Sequence, residues 1–368
     1  MPSEPLLVVE PAALAALVRQ LHGVPRVSLD AEGNGLFAYR ARLCTLQLAW
    51  ESGDEVHVAI VDTIRLDPAA LADLLGPSGP IKLLHDCTFD VKLLADSNVS
   101  LARVRDTSVL ARMLGRKATG LASLLAAELG ITLAKELQQH DWSRRPFEPR
   151  QIEYLADDVR HLMALDDKLA AEARALDIEE EVEVECLFKV EGAVAPPRER
   201  KPAYLRIRGS EKLDKPGLAV LRHLVEAREK ISADWDQPPF KVASNDWLLA
   251  LAAGKPRDVR ELRRFRGSFS PRIMGSAELL VAAVNAGLVE LEPPPLPAEP
   301  RLDKAIAAAR RSREKRLSAW RRKEAAARGV DEQAVLPGHC LQELAAMEAD
   351  EIDAIDRVPG LGEKRFRR

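Results

Sequence analysis

Cysteine is scarce in this chain and widely spread. Its 368 residues hold four, Cys44, Cys87, Cys186 and Cys340, and no two stand at CxxC spacing. The scatter speaks against a disulfide framework or a zinc site and predicts buried free thiols in a reducing cytoplasm. Long apolar runs are missing as well. No stretch approaches the roughly 20 uninterrupted apolar residues that a membrane helix needs. The opening MPSEPLLVVEPAAL has neither the charged lead nor the long apolar core of a signal peptide. A cytoplasmic protein that does not engage a membrane is the expectation. The third absence is a strong charge of either sign, since 54 Lys+Arg against 57 Asp+Glu leave a formal −3. That total averages two unlike parts. Residues 1–175 hold 19 basic and 24 acidic side chains, a net of −5, so residues 176–368 hold the remaining 35 and 33, a net of +2. With 46% hydrophobic and 30% charged residues the composition is that of a soluble globular protein, and the length predicts two or three domains.

Along the chain, PAALAALVRQLH at 11–22 has helical periodicity. RVSLDAE, LCTLQLAW and EVHVAIVD read as three strands, with turns at Gly33-Asn34-Gly35 and Ser52-Gly53-Asp54. Asp67 as N-cap and Pro68 at the first helical position open a helix in LDPAALADLLG. IKLLHD reads as a buried strand and FDVKLLADS as the start of a helix. VRDTSVLARMLG, GLASLLAAELG and the run from Pro149 to Leu176 are helical by periodicity. Three strands followed by alternating helix and strand predict an α/β domain with a mixed sheet flanked by helices, over residues 1–175. An acidic helical connector and linker should occupy 176–202. Residues 203–290 carry helix after helix with no convincing strand, 291–300 form a proline-rich linker, and 301–368 are helical again.

The chemistry concentrates in the first 160 residues. Asp30 and Glu32, two apart in a strand, leave the same face. Tyr154 and Asp158, four apart in a helix, do likewise. Asp90, just past a buried strand, should stand at that strand's carboxyl end, where α/β sheets place their sites. Hard, oxygen-only donors suit Mg²⁺ or Mn²⁺ rather than zinc. Four converging carboxylates repel one another unless a cation sits among them, so the set reads as a cage for two divalent metal ions able to promote hydrolysis of a phosphodiester. Tyr154, one turn before Asp158, would orient the attacking water. Each piece alone reads blandly: a single DxE as a turn, YxxxD as a surface pair, Asp90 as an acid at a helix start. His85 reads as a hydrogen-bonded structural histidine rather than a ligand. Joint occurrence carries the argument.

At these residues the sequence resembles the ribonuclease D family and the wider DEDD 3′–5′ exonucleases, in their tyrosine (DEDDy) branch. LDAE followed by ARLCTLQLA is similar to the first motif. LLHDCTFDVKLLA is similar to the second and leads into DTSVLARMLG. ITLAKELQQHDWSRRPFEPRQIEYLADDV is similar to the third, including its DWS-RP lead-in. The resemblance implies a ribonuclease H-like α/β exonuclease domain, with Asp30, Glu32, Asp90 and Asp158 as metal ligands and Tyr154 as the water-orienting group. Residues 203–290 resemble an HRDC domain. DEQAVLPGHCLQELAAMEADEIDAIDRVPGLGEKRFRR resembles the core of a second, so 301–368 is expected to be a second all-α HRDC-like domain, incomplete at its C-terminal end. The implied activity is 3′–5′ exoribonuclease hydrolysis by two metal ions, releasing nucleoside 5′-monophosphates from structured RNAs such as tRNA precursors, by a monomer. One departure stands out: the family places a bulky aromatic directly after the DxE glutamate, and here Gly33 follows.

Two basic runs suit a phosphate-rich substrate. Residues 255–272 hold seven Lys+Arg against two acids, and 301–328 hold eleven against three. Binding through them should weaken steeply with salt. Two other readings stay open. A DNA 3′–5′ exonuclease would use the same cage and differ only in a contact to the 2′-OH, which the sequence does not reveal. A non-catalytic nucleic-acid-binding protein with a decayed cage is opposed by the intact acids, while the GNG after Glu32 keeps it open.

Overall fold

The structure, a computed structural model, describes residues 4–134, 137–196, 201–290, 303–347 and 354–368. The expected proline-rich linker at 291–300 and part of the break at 197–200 lie outside these residues. The chain packs into two compact units. The first comprises Met1–Gly33, Leu43–Ala195 and Leu302–Arg368, the second Asn34–Arg42 and Pro196–Arg301.

A six-stranded mixed sheet in the order β1-β4-β3-β2-β5-β6 organises the first unit. Its strands are β1 (Leu6–Val8), β2 (Arg26–Gly33), β3 (Leu43–Ser52), β4 (Glu55–Asp62), β5 (Ile81–Leu84) and β6 (Val104–Asp106). β2, β3 and β4 form the antiparallel meander that the alternating pattern predicts, while β1, β5 and β6 add parallel pairs. β3 is buried continuously from Leu43 to Trp50, which explains why it reads as an unbroken apolar run rather than an alternating one. Ser52-Gly53-Asp54 closes the β3–β4 hairpin, with Gly53 at a φ of +63° that favours glycine. The sequence reading has neither β1 nor β6: VRD belongs to a strand, and the helix starts only at Thr107.

Helices cover the sheet. They are α1 (Pro11–Leu21), α2 (Thr88–Asp96), α3 (Thr107–Met113), α4 (Pro149–Arg160), α5 (Leu162–Ala175) and α6 (Glu179–Val194). The expected helix over 149–176 is two helices, broken at His161. α4 starts with a capping box between Glu148 and Gln151 and lays Leu155, Ala156 and Val159 against residues of β3, β4 and β5. α6, the expected acidic connector, packs onto this unit instead of standing free. Its Glu181, Val182 and Cys186 are buried, and the Cys186 thiol accepts a hydrogen bond from the Asp106 amide at 3.3 Å. All four cysteines are buried thiols that form no disulfide, as their scatter predicts.

In the second unit, α7 (Lys215–Trp235), α8 (Asn245–Gly254) and α9 (Ala277–Val289) build an all-helical core around Leu221, Leu224, Trp247 and Leu280. α7 and α9 approach closely at Gly287, where a Cβ would lie 2.5 Å from the Val220 Cα. Residues Pro271–Val289 are long and apolar enough to cross a membrane by length and composition alone. Here they bury Ile273, Ala277, Leu280 and Val284 in this core. Beyond the turn read at Gly33-Asn34-Gly35, the segment Asn34–Arg42 is a loop held inside this unit. The Tyr39 amide donates to Asp236 Oδ1 at 3.1 Å, and the Lys241 ammonium sits 4.0 Å over the Phe37 ring.

α10 (Lys304–Arg328) and α11 (Gly338–Ala346) return to the first unit. A buried guanidinium ties them in. Arg365 donates to the carbonyls of Ala334, Gly360, Leu361 and Glu181 at 3.1–3.2 Å, linking residues around α11 to α6. Phe188 of α6 stacks face to face on His339, centroids 3.7 Å apart.

Candidate active site

β2 lies inside the sheet between β3 and β5; its pairing with β5 ends at Ser28, and Asp30 and Glu32 are held by β3, opposite Gln47 and Thr45. The β2–β3 register shifts between Glu32 and Gly33, where the chain leaves the sheet. Asp90 lies just past the carboxyl end of β5, at the start of a helix, as the sequence predicts. His85 and Asp86 follow that strand, and Asp90 occupies the first turn of α2. There its Oδ1 accepts a 2.9 Å hydrogen bond from the Ala31 amide, between the two β2 acids. Tyr154 and Asp158 project from one face of α4 and hydrogen-bond each other. The structure thus brings all five residues together. Carboxylate oxygens of Asp30, Glu32 and Asp158 lie within 4.8 Å of one another, and Asp90 presses on Asp30 and Glu32 through its charge.

The electrostatics follow from burial without a counter-charge. Burial pushes Asp30 up to about 6. Burial, then the charges of Asp30, Asp158 and Asp90, push Glu32 up to about 9. Burial and Asp30 push Asp158 up to about 8, and Asp90 rises well above the ordinary carboxylate range for the same two reasons. Among the described residues none of the four forms a salt bridge. Four hard oxygen donors with no protein cation among them fit a divalent metal. Tyr154 is driven upward too, by burial first and then by Asp158 and Glu32, and so keeps its proton.

A buttress that the sequence reading lacks holds Tyr154. Its ring stacks on buried Trp142 at 5.6 Å and 26°, and Trp142 meets His140 and Phe147 edge-on. The Arg145 guanidinium lies 3.9 Å over Phe147. It also grips buried Asp62 with two hydrogen bonds, at 2.7 and 2.8 Å, and donates to the Trp142 carbonyl. The DWSRRPF stretch therefore sets the ring whose hydroxyl faces the acids.

The acids open into a cleft of about 410 Å³ whose other wall includes His85, Phe89, Ser108, Arg112 and Gln138. His85 hydrogen-bonds Thr107 Oγ1 at 2.8 Å, the structural role expected of it. A larger hollow of about 590 Å³, lined mainly by Leu101, Val104, Leu187 and Val190, contains no such set of converging carboxylates.

The 3′–5′ exonuclease family matches residues 7–174, and the HRDC domain matches 217–284 and 311–368. Fold and site thus define a 3′–5′ exonuclease carrying HRDC domains. Among curated proteins, the chain is 29% identical to ribonuclease D of Granulibacter bethesdensis, over 80% of this chain and 74% of that one. It is 30% identical to ribonuclease D of a Shewanella species, over 74% of this chain and 72% of that one. The chain belongs to the ribonuclease D family. Solved structures share its fold: a protein from Bifidobacterium adolescentis at TM-score 0.80 and 21% identity, covering 97% of this chain and 92% of that one. Escherichia coli RNase D follows at TM-score 0.71 and 24% identity, covering 93% and 90%.

Proposed function

We propose that this 3′–5′ exoribonuclease trims structured RNAs from their 3′ ends, tRNA precursors among them, and releases nucleoside 5′-monophosphates. One observation carries the reading: Asp30, Glu32 and Asp158 converge within 4.8 Å, with Asp90 pinned beside them and, among the described residues, no cation paired with the set. These four acids would hold two divalent cations, Mg²⁺ or Mn²⁺. When bound, such ions supply positive charge at the scissile phosphate, acidify a water and steady the departing 3′ oxygen. The Tyr154 hydroxyl donates a hydrogen bond to Asp158, which leaves the phenolic oxygen free to accept one from the attacking water. Because its pKa is raised, Tyr154 aims that water rather than deprotonating it. The Trp142 stack and the Asp62–Arg145 pair keep the hydroxyl in place.

The test is hydrolysis of a 5′-labelled RNA with a single-stranded 3′ tail beside its DNA counterpart, in Mg²⁺, Mn²⁺ or chelator. The expected result is stepwise shortening of the RNA into mononucleotides, stopped by chelator and slower on DNA. Equal inertness with both metals, or a preference for DNA, overturns the reading.

A further inference from the structure

Asp86 is bent into a shape that its neighbours have to hold. It is the second residue after β5 and lies at a φ of +60°, a left-handed value that a residue other than glycine keeps where its surroundings fix it. α2 begins two residues later, with Asp90 in its first turn. Asp106, at the end of β6, accepts the amides of Asp86 and Cys87 at 3.0 Å each and that of Ser108 at 2.8 Å. The Lys189 ammonium of α6 closes the arrangement, donating to Asp106 at 2.6 Å and to the Asp86 carboxylate at 2.7 Å. Neutralising Asp106 requires only the first of these contacts. The second reaches a side chain that is 71% exposed and lines the cleft of the cage. An exposed pair of this kind adds little stability, so what the second arm contributes is a tie between α6 and the turn. α6 is itself held: Phe188, next to Lys189, stacks on His339, and the Lys364 amide donates to Glu180 at 2.8 Å.

We infer that Lys189 is a positioning residue for the cage: by joining Asp86 to Asp106 it holds the turn from which α2 carries Asp90 to the Ala31 amide. This deepens the exonuclease reading and rests on it in taking the four acids as the metal-holding set. The lever is short, since Asp90 stands four residues beyond Asp86. The Ala31 amide fixes Asp90 from β2, and the Lys189 clasp fixes the start of its helix. A slack turn draws Asp90 away from Asp30 and Glu32. Loss of a group that orients a metal-holding side chain lowers metal affinity by about 10–100-fold. Charge alone gives the opposite sign: with a cation removed beside the cleft, Mn²⁺ meets less repulsion and binds more tightly. Direction as well as size therefore separates positioning from charge.

Two readouts need no turnover. Mn²⁺ affinity is measured by calorimetry without RNA, and exchange of the Ala31 amide is followed by NMR in chelator. Lys189→Met binds Mn²⁺ about tenfold more weakly. It also exchanges the Ala31 amide faster relative to the amides of β3, and lowers turnover with KM for RNA unchanged. Lys189→Arg restores all three, because a guanidinium can donate to both carboxylates. Leu17→Ala, a buried truncation in α1 that takes no part in the clasp, loses stability while both readouts stay at wild type. Lys189→Gln keeps a donor without the charge, gives a smaller loss of the same sign, and serves if the Met variant does not fold. Unchanged or tighter Mn²⁺ binding in the Met and Gln variants overturns the inference, as does an equal loss in Leu17→Ala. A wild type that binds Mn²⁺ and cleaves nothing would sink the exonuclease reading, while the positioning claim stands on Mn²⁺ affinity and Ala31 exchange.

Discussion

Two sets of carboxylates in the same compact unit, one fully buried and the other half-buried along a cleft, are treated in opposite ways. Asp106 receives the Lys189 ammonium at 2.6 Å together with the amides of Asp86, Cys87 and Ser108. Burial alone would raise it, yet these partners hold it far below the ordinary range. Asp62, equally buried, is lowered by Arg145 in the same manner. The cage acids receive no such partner, and all four are raised. The fold can therefore neutralise a buried acid with a protein cation, and among the described residues it places none against the cage acids. There the missing charge has to come from outside the chain.

The comparison can be broken or sharpened. The largest expected effect is on the double variant Asp30→Asn/Asp158→Asn, whose RNA hydrolysis should fall by about 10³-fold or more. Its melting temperature in chelator should stay level or rise, because mutual repulsion is relieved. Lost activity together with a large loss of stability would move these residues into the structural set. Asp106→Ala should instead cost about 3 kcal/mol by denaturant titration, since the amides of Asp86, Cys87 and Ser108 lose their acceptor and Lys189 keeps only exposed Asp86 as an ion-pair partner. A loss below about 1 kcal/mol would erase the contrast, since an exposed pair is worth no more than that. Tyr154→Phe comes next, with turnover down by about tenfold to a hundredfold and Mn²⁺ affinity by calorimetry unchanged. Weakened Mn²⁺ binding would make Tyr154 part of the cage rather than a guide for water.

The smallest effect is on pH dependence. Asp30, Asp158 and Glu32, at about 6, 8 and 9, hold protons more tightly folded than unfolded. Their contribution to stability is fully present below the ordinary carboxylate range and is lost as pH rises through about 6 to 9. Asp106 and Asp62, lowered in the fold, contribute above that range and lose their contribution only in acid. Melting temperature in chelator should accordingly decline by a few degrees across this window. The rise on adding Mn²⁺ should grow with pH, because metal and protons compete for the same oxygens. A Mn²⁺ effect that is flat with pH would count against proton-metal competition at the cage.

Much of the cage was legible because its spacing is local: two residues apart on a strand, four apart on a helix. The central strands and their hairpin were legible for the same reason. What escaped depends on distant partners. β1 and β6 are three residues each and exist through pairing with β4 and β5, which no local pattern reveals. The hold of the Ala31 amide on Asp90 spans 59 residues, and the grip of Arg145 on Asp62 beneath the Tyr154 stack spans 83. Phe89 and Arg112 sat in plain view within HDCTFDV and DTSVLARMLG, but exposure in a cleft is not a sequence property. The grouping of 302–368 with the sheet rests on Arg365 reaching carbonyls of α6 and of the turns around α11.

The interleaving of the two units matters most while the chain is being made. A nascent chain that has reached Ala195 already holds every residue of the cage. It lacks the helices that receive the loop after Glu32, and it lacks the segment that caps α6 through Arg365. Both partners emerge later, the second only with the residues that follow Leu302. Completion of the nuclease unit is thus tied to synthesis of the segment after Leu302, and a ribosome stalled before it would carry the acids without their finished support.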